Sequence, residues 1–327
     1  MMNDLIKNFP AQLTEAVEIA HKSKLHKASS PIHNVVICGL GGSGIGGTIV
    51  KETVLHEATV PIEVMKTYVL PRYVNENTLV ICSSYSGNTE ETLESFSVAL
   101  QHKAHIVCVT SGGKLLDMAK ESGCDAIVIP GGMPPRACLG YSLTQLFHIL
   151  AFYGIATEHT SQITSAVKML TDNQQTLMKA AERMAEVLKN HTPVIYSTAL
   201  NEGVAIRFRQ QLNENAKILC WHHAIPEMNH NELVGWSQEY PEIAVLMFKD
   251  TQEHSRNELR IELCKKIFEK YANIVIEIPS KGTHTLEKKL YWIHFGDWVS
   301  WYLAEQRQVD AMEVKVIDQL KNDLAKK

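Results

Sequence analysis

The sequence predicts an α/β protein of two domains, each a parallel sheet sandwiched by helices. Three observations carry this. At 327 residues the chain has room for two ordinary domains. Short runs that are apolar throughout, such as Val35–Cys38 and Leu79–Cys82, alternate with longer stretches of helical period, which is the rhythm of strands covered on both faces. Two Ser/Gly-rich stretches, each placed where a strand hands over to a helix, interrupt the first block.

Residues 3–28 read as a lead-in helix, with Leu5, Phe9, Leu13, Val17 and Ala20 at helical spacing. Strands follow at 35–38, 62–65, 79–82, 105–110 and 126–129. Helices are expected between them over 44–56, 89–102 and 114–122, and after them over 139–152. The chain turns polar over 155–175, which places a boundary near Thr157–Ser161 and divides the chain into residues 1–155 and 156–327. A helix over 175–189 then opens a second alternating block, with strands at 194–197, 218–221, 244–248 and 274–278 and helices over 201–213, 254–271 and 286–306. The aromatic residues Tyr291, Trp292, Phe295, Trp298, Trp301 and Tyr302 fall on a helical stripe and are assigned to core or to a subunit interface.

Composition excludes several function classes. Hydrophobic residues make up 45% and charged residues 21%, the proportions of a globular protein in water. A net charge of −4, with no basic run longer than a Lys-Lys pair, argues against nucleic-acid partners. No apolar stretch approaches the roughly 20 residues that span a bilayer, so no membrane association is expected. The seven cysteines form no C-x-x-C pair, and the start of the chain lacks a signal-peptide pattern, which together fit the cytoplasm.

The two Ser/Gly stretches carry the chemistry. Gly39-Leu40-Gly41-Gly42-Ser43-Gly44 and Ser83-Ser84-Tyr85-Ser86-Gly87-Asn88-Thr89 each precede a helix, whose N-terminal N–H groups and dipole favour an anion. The hydroxyls of Ser43, Ser84, Ser86 and Thr89 add neutral donors, and the small Gly42 admits close approach. Neither loop contains Lys or Arg, which suits a phosphomonoester better than a metal-bound triphosphate. Gly39-x-Gly41-x-x-Gly44 also satisfies the dinucleotide pattern, but the acidic residue that pattern requires is matched only by Glu63, inside a strand, and a dinucleotide site has no use for the second loop. Three further features stand out: Glu214 among amides at a helix end, His230 at the start of what reads as the next helix, and Arg136 after two prolines. A base, an acid and a fixed cation suit proton transfer beside a carbonyl. A metal site at His222, His223, Glu227 and His230 is not expected, because adjacent strand residues face opposite ways and the spacing of zinc motifs is absent.

Gly-Gly-Ser-Gly paired with Ser-Tyr-Ser-Gly-Asn-Thr-Glu-Glu-Thr resembles sugar isomerase (SIS) domains. The further motifs Pro-Pro-Arg, Asn-Glu-Asn-Ala-Lys and Asn-His-Asn-Glu resemble the bifunctional phosphoglucose/phosphomannose isomerases, over nearly the whole chain and in the family's order. The resemblance implies two SIS-type domains, a sugar phosphate substrate, no cofactor or metal, and a homodimer. It also implies roles: Gly42, Ser43, Ser84, Ser86 and Thr89 hold the 6-phosphate, Glu214 moves a proton between C2 and C1, Arg136 stabilises the enediolate, and His230 opens the sugar ring. Lys321 matches the setting of an assisting lysine, with Lys315, Lys326 and Lys327 nearby. The family's segment before that lysine is richer in Pro and Thr than Val309–Val314, so glucose 6-phosphate activity is implied more directly than mannose 6-phosphate activity. A non-catalytic sugar-phosphate sensor and an SIS isomerase for another sugar phosphate are the rival readings.

Overall fold

Val35–Cys38, Leu79–Ser84 and Ile106–Thr110 are buried at every position because helices cover both faces of the sheet they build. The computed structural model describes residues 1–324 and 326, so Lys327 lies outside the described residues. The chain divides into two compact units. One comprises Asn8–Asp172 and Lys281–Tyr291; the other comprises Met1–Lys7, Asn173–Ser280 and Trp292–Lys327.

The first unit holds a five-stranded parallel sheet made of β1 (Asn34–Cys38), β2 (Ile62–Met65), β3 (Thr78–Ser84), β4 (His105–Thr110) and β5 (Asp125–Val128), in the order β2-β1-β3-β4-β5. Helices α2 (Phe9–Lys22), α3 (Gly41–Thr53) and α6 (Leu139–Phe152) pack together over one face. Helices α4 (Glu90–Gln101) and α5 (Gly113–Glu121) cover the other, where Phe96, Ala99, Leu115 and Ala119 meet Val36, Val80 and Ile106. On that second face Cys38, Cys82 and Cys108 stand side by side in register across β1, β3 and β4. They act there as small apolar residues, and burial among other thiols raises the Cys82 thiol well above its ordinary value, side-chain contacts to Cys108 and Cys38 being the largest causes.

The second unit holds a four-stranded parallel sheet of β6 (Thr192–Thr198), β7 (Trp221–Ile225), β8 (Ile243–Lys249) and β9 (Ile274–Pro279), in the order β7-β6-β8-β9. Helix α9 (Ser255–Phe268) covers one face through Ile261, Cys264 and Phe268. On the other face Phe208 of α8 (Glu202–Ala216) and Trp292 of α10 (Thr285–Arg307) both pack against Phe248, at ring-centroid distances of 6.1 and 5.1 Å. Trp292, Phe295 and Trp298 are buried, so these members of the aromatic stripe are core.

Three expectations need correction. The lead-in helix is two helices, α1 (Met2–Lys7) and α2, because Pro10 in the first turn of α2 lacks the amide that a continuous helix would use; α2 stops at Lys22. The polar stretch 155–175 is mostly helix, since α7 runs unbroken over Thr160–Leu188 with Ile163, Ala166, Leu170, Leu177, Ala181, Met184 and Leu188 buried at intervals of three, four and seven. The strand expected at 218–221 is instead Trp221–Ile225. Lys217 takes a left-handed conformation (φ 56°) and the Asn213 amide binds the Ile218 carbonyl at 2.7 Å, which holds 218–220 as the helix's tail. An additional helix, α11 (Lys315–Leu324), follows α10.

Helix α8 is fixed within its unit by charge. The Arg207 guanidinium donates to both carboxylate oxygens of Asp297 at 3.1 Å, and the Gln211 amide donates to Oδ1 at 2.7 Å, all three being buried. Burial raises the Asp297 carboxyl above its usual range, against the pull of Arg207. Removing one partner strands the other, so Arg207→Ala is expected to lose about 3–5 kcal/mol of stability in denaturant unfolding, and a Met/Leu replacement of the Arg207–Asp297 pair much less. Equal losses for the two variants would mean that the pair itself, not an orphaned charge, sets the stability.

Candidate active site

In the first sheet the strand order reverses between β1 and β3. The helices that follow them, α3 and α4, leave on opposite faces, and the carboxyl ends of the two strands open a crevice. Both Ser/Gly loops end there. Helix α3 begins at Gly41, three residues earlier than the sequence suggests, so Gly42 and Ser43 lie in its first turn, and Thr89 is the N-cap of α4. Neither N-cap position, Leu40 or Thr89, makes a side-chain capping bond, which leaves first-turn amides to other acceptors.

The loops are held together by hydroxyls and by Tyr85. Ser43 Oγ accepts from the Tyr85 amide at 3.2 Å, and Ser84 Oγ and Thr89 Oγ1 are 2.8 Å apart. Ser86 Oγ accepts from the Asn88 amide at 3.2 Å. The Tyr85 carbonyl accepts from Ser111 Oγ at 2.7 Å, while its hydroxyl accepts from the Met133 amide at 3.2 Å, tying the serine loop to the segment before Arg136. Burial is the main cause raising the Tyr85 phenol, which stays neutral.

Arg136 lies in a short turn, Pro135–Ala137, and is buried. A Cβ on Gly42 would stand 3.1 Å from the Pro135 carbonyl oxygen and 3.8 Å from the Arg136 Cα, so this turn leans directly on the first Ser/Gly loop. Gln12 fastens it from behind: its amide donates to the Ala137 carbonyl at 2.8 Å and its carbonyl accepts from the Gly140 amide at 2.8 Å. The structure therefore gathers Gly42, Ser43, Ser84, Ser86 and Thr89 at one crevice, with the turn that carries Arg136 packed against Gly42. It also supplies a cation that reading the loops alone misses: Lys66, directly after β2, donates to Thr48 Oγ1 at 3.0 Å and passes close to Gly44. The signal for Gln12 was a lone amide between Phe9, Leu13 and Ala16 on an apolar stripe; the signal for Lys66 was its place at a strand's carboxyl end.

Glu214, His230 and Lys321 belong to the second unit and lie on three separate elements. Glu214 is half-buried in the last turn of α8. Lys217 donates to the Glu214 carbonyl at 2.5 Å and to the Glu313 carbonyl at 2.7 Å, joining the end of α8 to the segment before α11. His230 does not start a helix. It ends the 3₁₀ turn Glu227–His230, is exposed, and is followed by a second turn over Glu232–Gly235. Lys321 is exposed on α11. His222 and His223 face opposite ways, to Glu202 at 3.7 Å and Glu232 at 2.8 Å, and no group of three or more potential metal ligands gathers among the described residues.

The serine loop depends on Gly87, at φ +67°, where a Cβ would stand 1.7 Å from the Gly112 carbonyl oxygen. Gly87→Ala is expected to displace the 84–89 loop and lower Tm by several degrees, with inorganic phosphate no longer protecting against unfolding. An unchanged Tm with phosphate protection intact would show that the loop tolerates the side chain.

Residues 177–324 match the family of bacterial phospho-glucose isomerase C-terminal SIS domains. The bifunctional phosphoglucose/phosphomannose isomerase of Caldicellulosiruptor bescii is 38% identical, over 99% of each chain. That of Aquifex aeolicus is 38% identical over 92% of this chain and 93% of its own, and that of Thermoplasma acidophilum 36% over 89% and 90%. Among solved structures, the C-terminal domain of glucosamine-fructose-6-phosphate aminotransferase from Francisella tularensis shares the fold with a TM-score of 0.76 at 14% identity, covering 95% of this chain and 98% of its own. Tagatose-6-phosphate ketose/aldose isomerase from Escherichia coli does so with a TM-score of 0.68 at 14% identity, covering 93% and 92%. With its two parallel sheets, its paired Ser/Gly loops and relatives matched end to end, the chain belongs to the bifunctional phosphoglucose/phosphomannose isomerase family.

Proposed function

We propose that this protein interconverts glucose 6-phosphate and fructose 6-phosphate, and mannose 6-phosphate as well, through a cis-enediol and without a metal ion. The observation that carries the reading is the crevice of hydroxyls and helix N-termini between β1 and β3, with the turn that carries Arg136 packed against it, in a chain whose relatives bear this activity in their names. A phosphomonoester is the anion such a crevice suits, since its donors are neutral groups fixed at a helix start. In this reading residues 1–155 hold the phosphate and residues 156–327 supply the proton chemistry.

Gly42, Ser43, Ser84, Ser86 and Thr89 bind the 6-phosphate. His230, from the same or a partner subunit of a homodimer, moves the proton that opens the ring. Glu214 then takes the C2 proton of the open-chain aldose and returns it to C1, while Arg136 faces the charge that grows on the enediolate oxygen. General base catalysis supplies roughly 10²–10⁴-fold and a fixed donor at the oxyanion roughly 10²–10³-fold, and both are needed because that proton is weakly acidic. Lys321 assists at the developing charge. The cytoplasm, where hexose phosphates are made and used, is the fitting compartment.

The test is purified protein with fructose 6-phosphate in the presence of EDTA, following glucose 6-phosphate and mannose 6-phosphate by separate coupled assays. Formation of both is expected. Glucose 6-phosphate alone would make Val309–Val314 a specificity filter, activity lost to EDTA and restored by zinc would overturn the metal-free mechanism, and neither product from protein that binds sugar phosphate would favour a sensor or a different substrate. Glu214→Gln should lower kcat by at least about 10²-fold with substrate affinity near normal; turnover near that of the parent protein would remove Glu214 as the base. Ser86→Ala combined with Thr89→Ala should mainly weaken sugar-phosphate binding, seen in Kd by calorimetry, and an unchanged Kd would move the phosphate site elsewhere.

A further inference from the structure

His230 is exposed, yet the residues on either side of it in the same turn are anchored. Met228 is fully buried in the cluster formed by Tyr196, Ile225, Trp236 and Phe268. The Asn229 amide donates to Cys264 Sγ at 3.0 Å and its carbonyl accepts from Arg260 at 3.1 Å. Asn231 bridges the turn, donating to Glu227 at 2.9 Å and accepting from the Glu232 amide at 2.6 Å. Glu232 then closes the segment onto the sheet. Its Oε1 accepts from the Tyr196 hydroxyl at 2.5 Å and the Trp221 indole at 3.3 Å, and its Oε2 accepts from His223 Nδ1 at 2.8 Å.

The three donors come from one face of the sheet. Tyr196 of β6 is the register partner of His223 of β7, and Trp221 stands two residues before His223 on the same side. Tyr196 is itself held, stacked on Phe268 at 4.8 Å and accepting from the Trp236 indole at 3.1 Å. A carboxylate that receives three donors from a rigid sheet has one position open to it, and a charged acceptor makes each bond stronger than a neutral one. His230 lies two residues before Glu232 and two after Met228, so its backbone is fixed on both sides while its imidazole reaches solvent.

We propose that Glu232 is a positioning residue for His230: its carboxylate, clamped by Tyr196, Trp221 and His223, sets the turn from which the imidazole acts on the sugar ring. This rests on the reading of His230 given above and adds the residue that places it. Met228 and Trp236 would bury the segment with or without Glu232, so what the carboxylate contributes is the direction of the turn rather than its attachment.

The experiment compares Glu232→Gln, Glu232→Asp and Tyr196→Phe with His230→Ala and the His230→Ala/Glu232→Gln double variant. Glu232→Gln places an amide where donors converge and is expected to lower kcat on glucose 6-phosphate by at least about 10-fold, with KM within about threefold. Affinity for a five-carbon aldonic acid phosphate, an open-chain mimic of the enediolate that needs no ring opening, should stay within about twofold. Glu232→Asp should recover part of the loss, and Tyr196→Phe, which removes one of the three donors to Glu232 together with the acceptor of the Trp236 indole, should shift kcat the same way by less. Adding Glu232→Gln to His230→Ala should cost nothing further, because the two act as one. Independently of turnover, the His230 ring resonances, identified by their absence in His230→Ala, should move or broaden in Glu232→Gln and in Tyr196→Phe while those of His191 stay in place. An unmoved His230 signal, or a full additional loss in the double variant, would overturn the proposal. Protein that lacks isomerase activity but shows the His230 shift would overturn the proposed reaction and leave the positioning role standing.

Discussion

The reversal of strand order between β1 and β3 is the constraint on which the crevice, and the phosphate site proposed for it, depends. A right-handed crossover sends the chain from β1 to β2 on one side and on to β3 on the other, so α3 and α4 cover opposite faces and cannot close the gap between the two strand ends. Most of what lines that gap comes from the two loops that begin there. In this chain those loops are mostly Gly, Ser and Thr, which keeps the gap low in side-chain bulk and rich in donors. Tyr85 then braces the lining, with its amide on Ser43, its carbonyl on Ser111 and its hydroxyl on the Met133 amide.

The second sheet has the same reversal, between β6 and β8, but its crevice is lined differently. Thr198 at the end of β6 donates to Glu253 at 2.6 Å, and the same carboxylate accepts from the His254 amide and the Asn257 side chain, each at 3.0 Å. A carboxylate of the chain itself thus takes the donors that the first crevice offers through Ser43, Ser84 and Thr89. Two sheets of one architecture can therefore carry different duties, because the reversal only creates the gap and the loop residues decide what fills it. Glu214 and His230 lie away from that gap, at the end of α8 and in the turns after β7.

Much of this was legible in the residues. Strands at 62–65 and 105–110 and the helix at 139–152 follow from apolar runs and helical period alone, and the two Ser/Gly loops mark the crevice because so few other residues fit a helix start beside a strand end. What escaped was set by tertiary contact. Residues 160–175 are polar on most positions, and their helical character shows in the burial of Ile163, Ala166 and Leu170. Trp221–Ile225 displaced the more apolar 218–221 as strand because Asn213 and the left-handed Lys217 claim the preceding residues for the helix's end. Gln12 and Glu232 were overlooked for one reason: each acts on backbone or side chains far away in sequence, Gln12 on Ala137 and Gly140, Glu232 on Tyr196.

The base proposed for this reaction, Glu214, must be held to a fraction of an ångström, since small misplacements cost large factors in rate. The end of a helix is a poor place for that, because terminal turns fray and their carbonyls lack partners. Helix α8 overcomes this with bonds on every side of Glu214. Arg207 and Gln211 fix the helix to Asp297, and Asn215 donates to Ser300 at 2.9 Å. The last carbonyls are taken as well, that of Ala216 by Arg307 at 3.1 Å and that of Glu214 by Lys217. These cations also meet the negative end of the helix dipole, so the charges that fix the last turn are of the favourable sign. The amides of Asn-Glu-Asn are explained in the same way: Asn213 and Asn215 flank Glu214 because each is a tether, one to Ile218 and one to Ser300, and the glutamate between them inherits their rigidity.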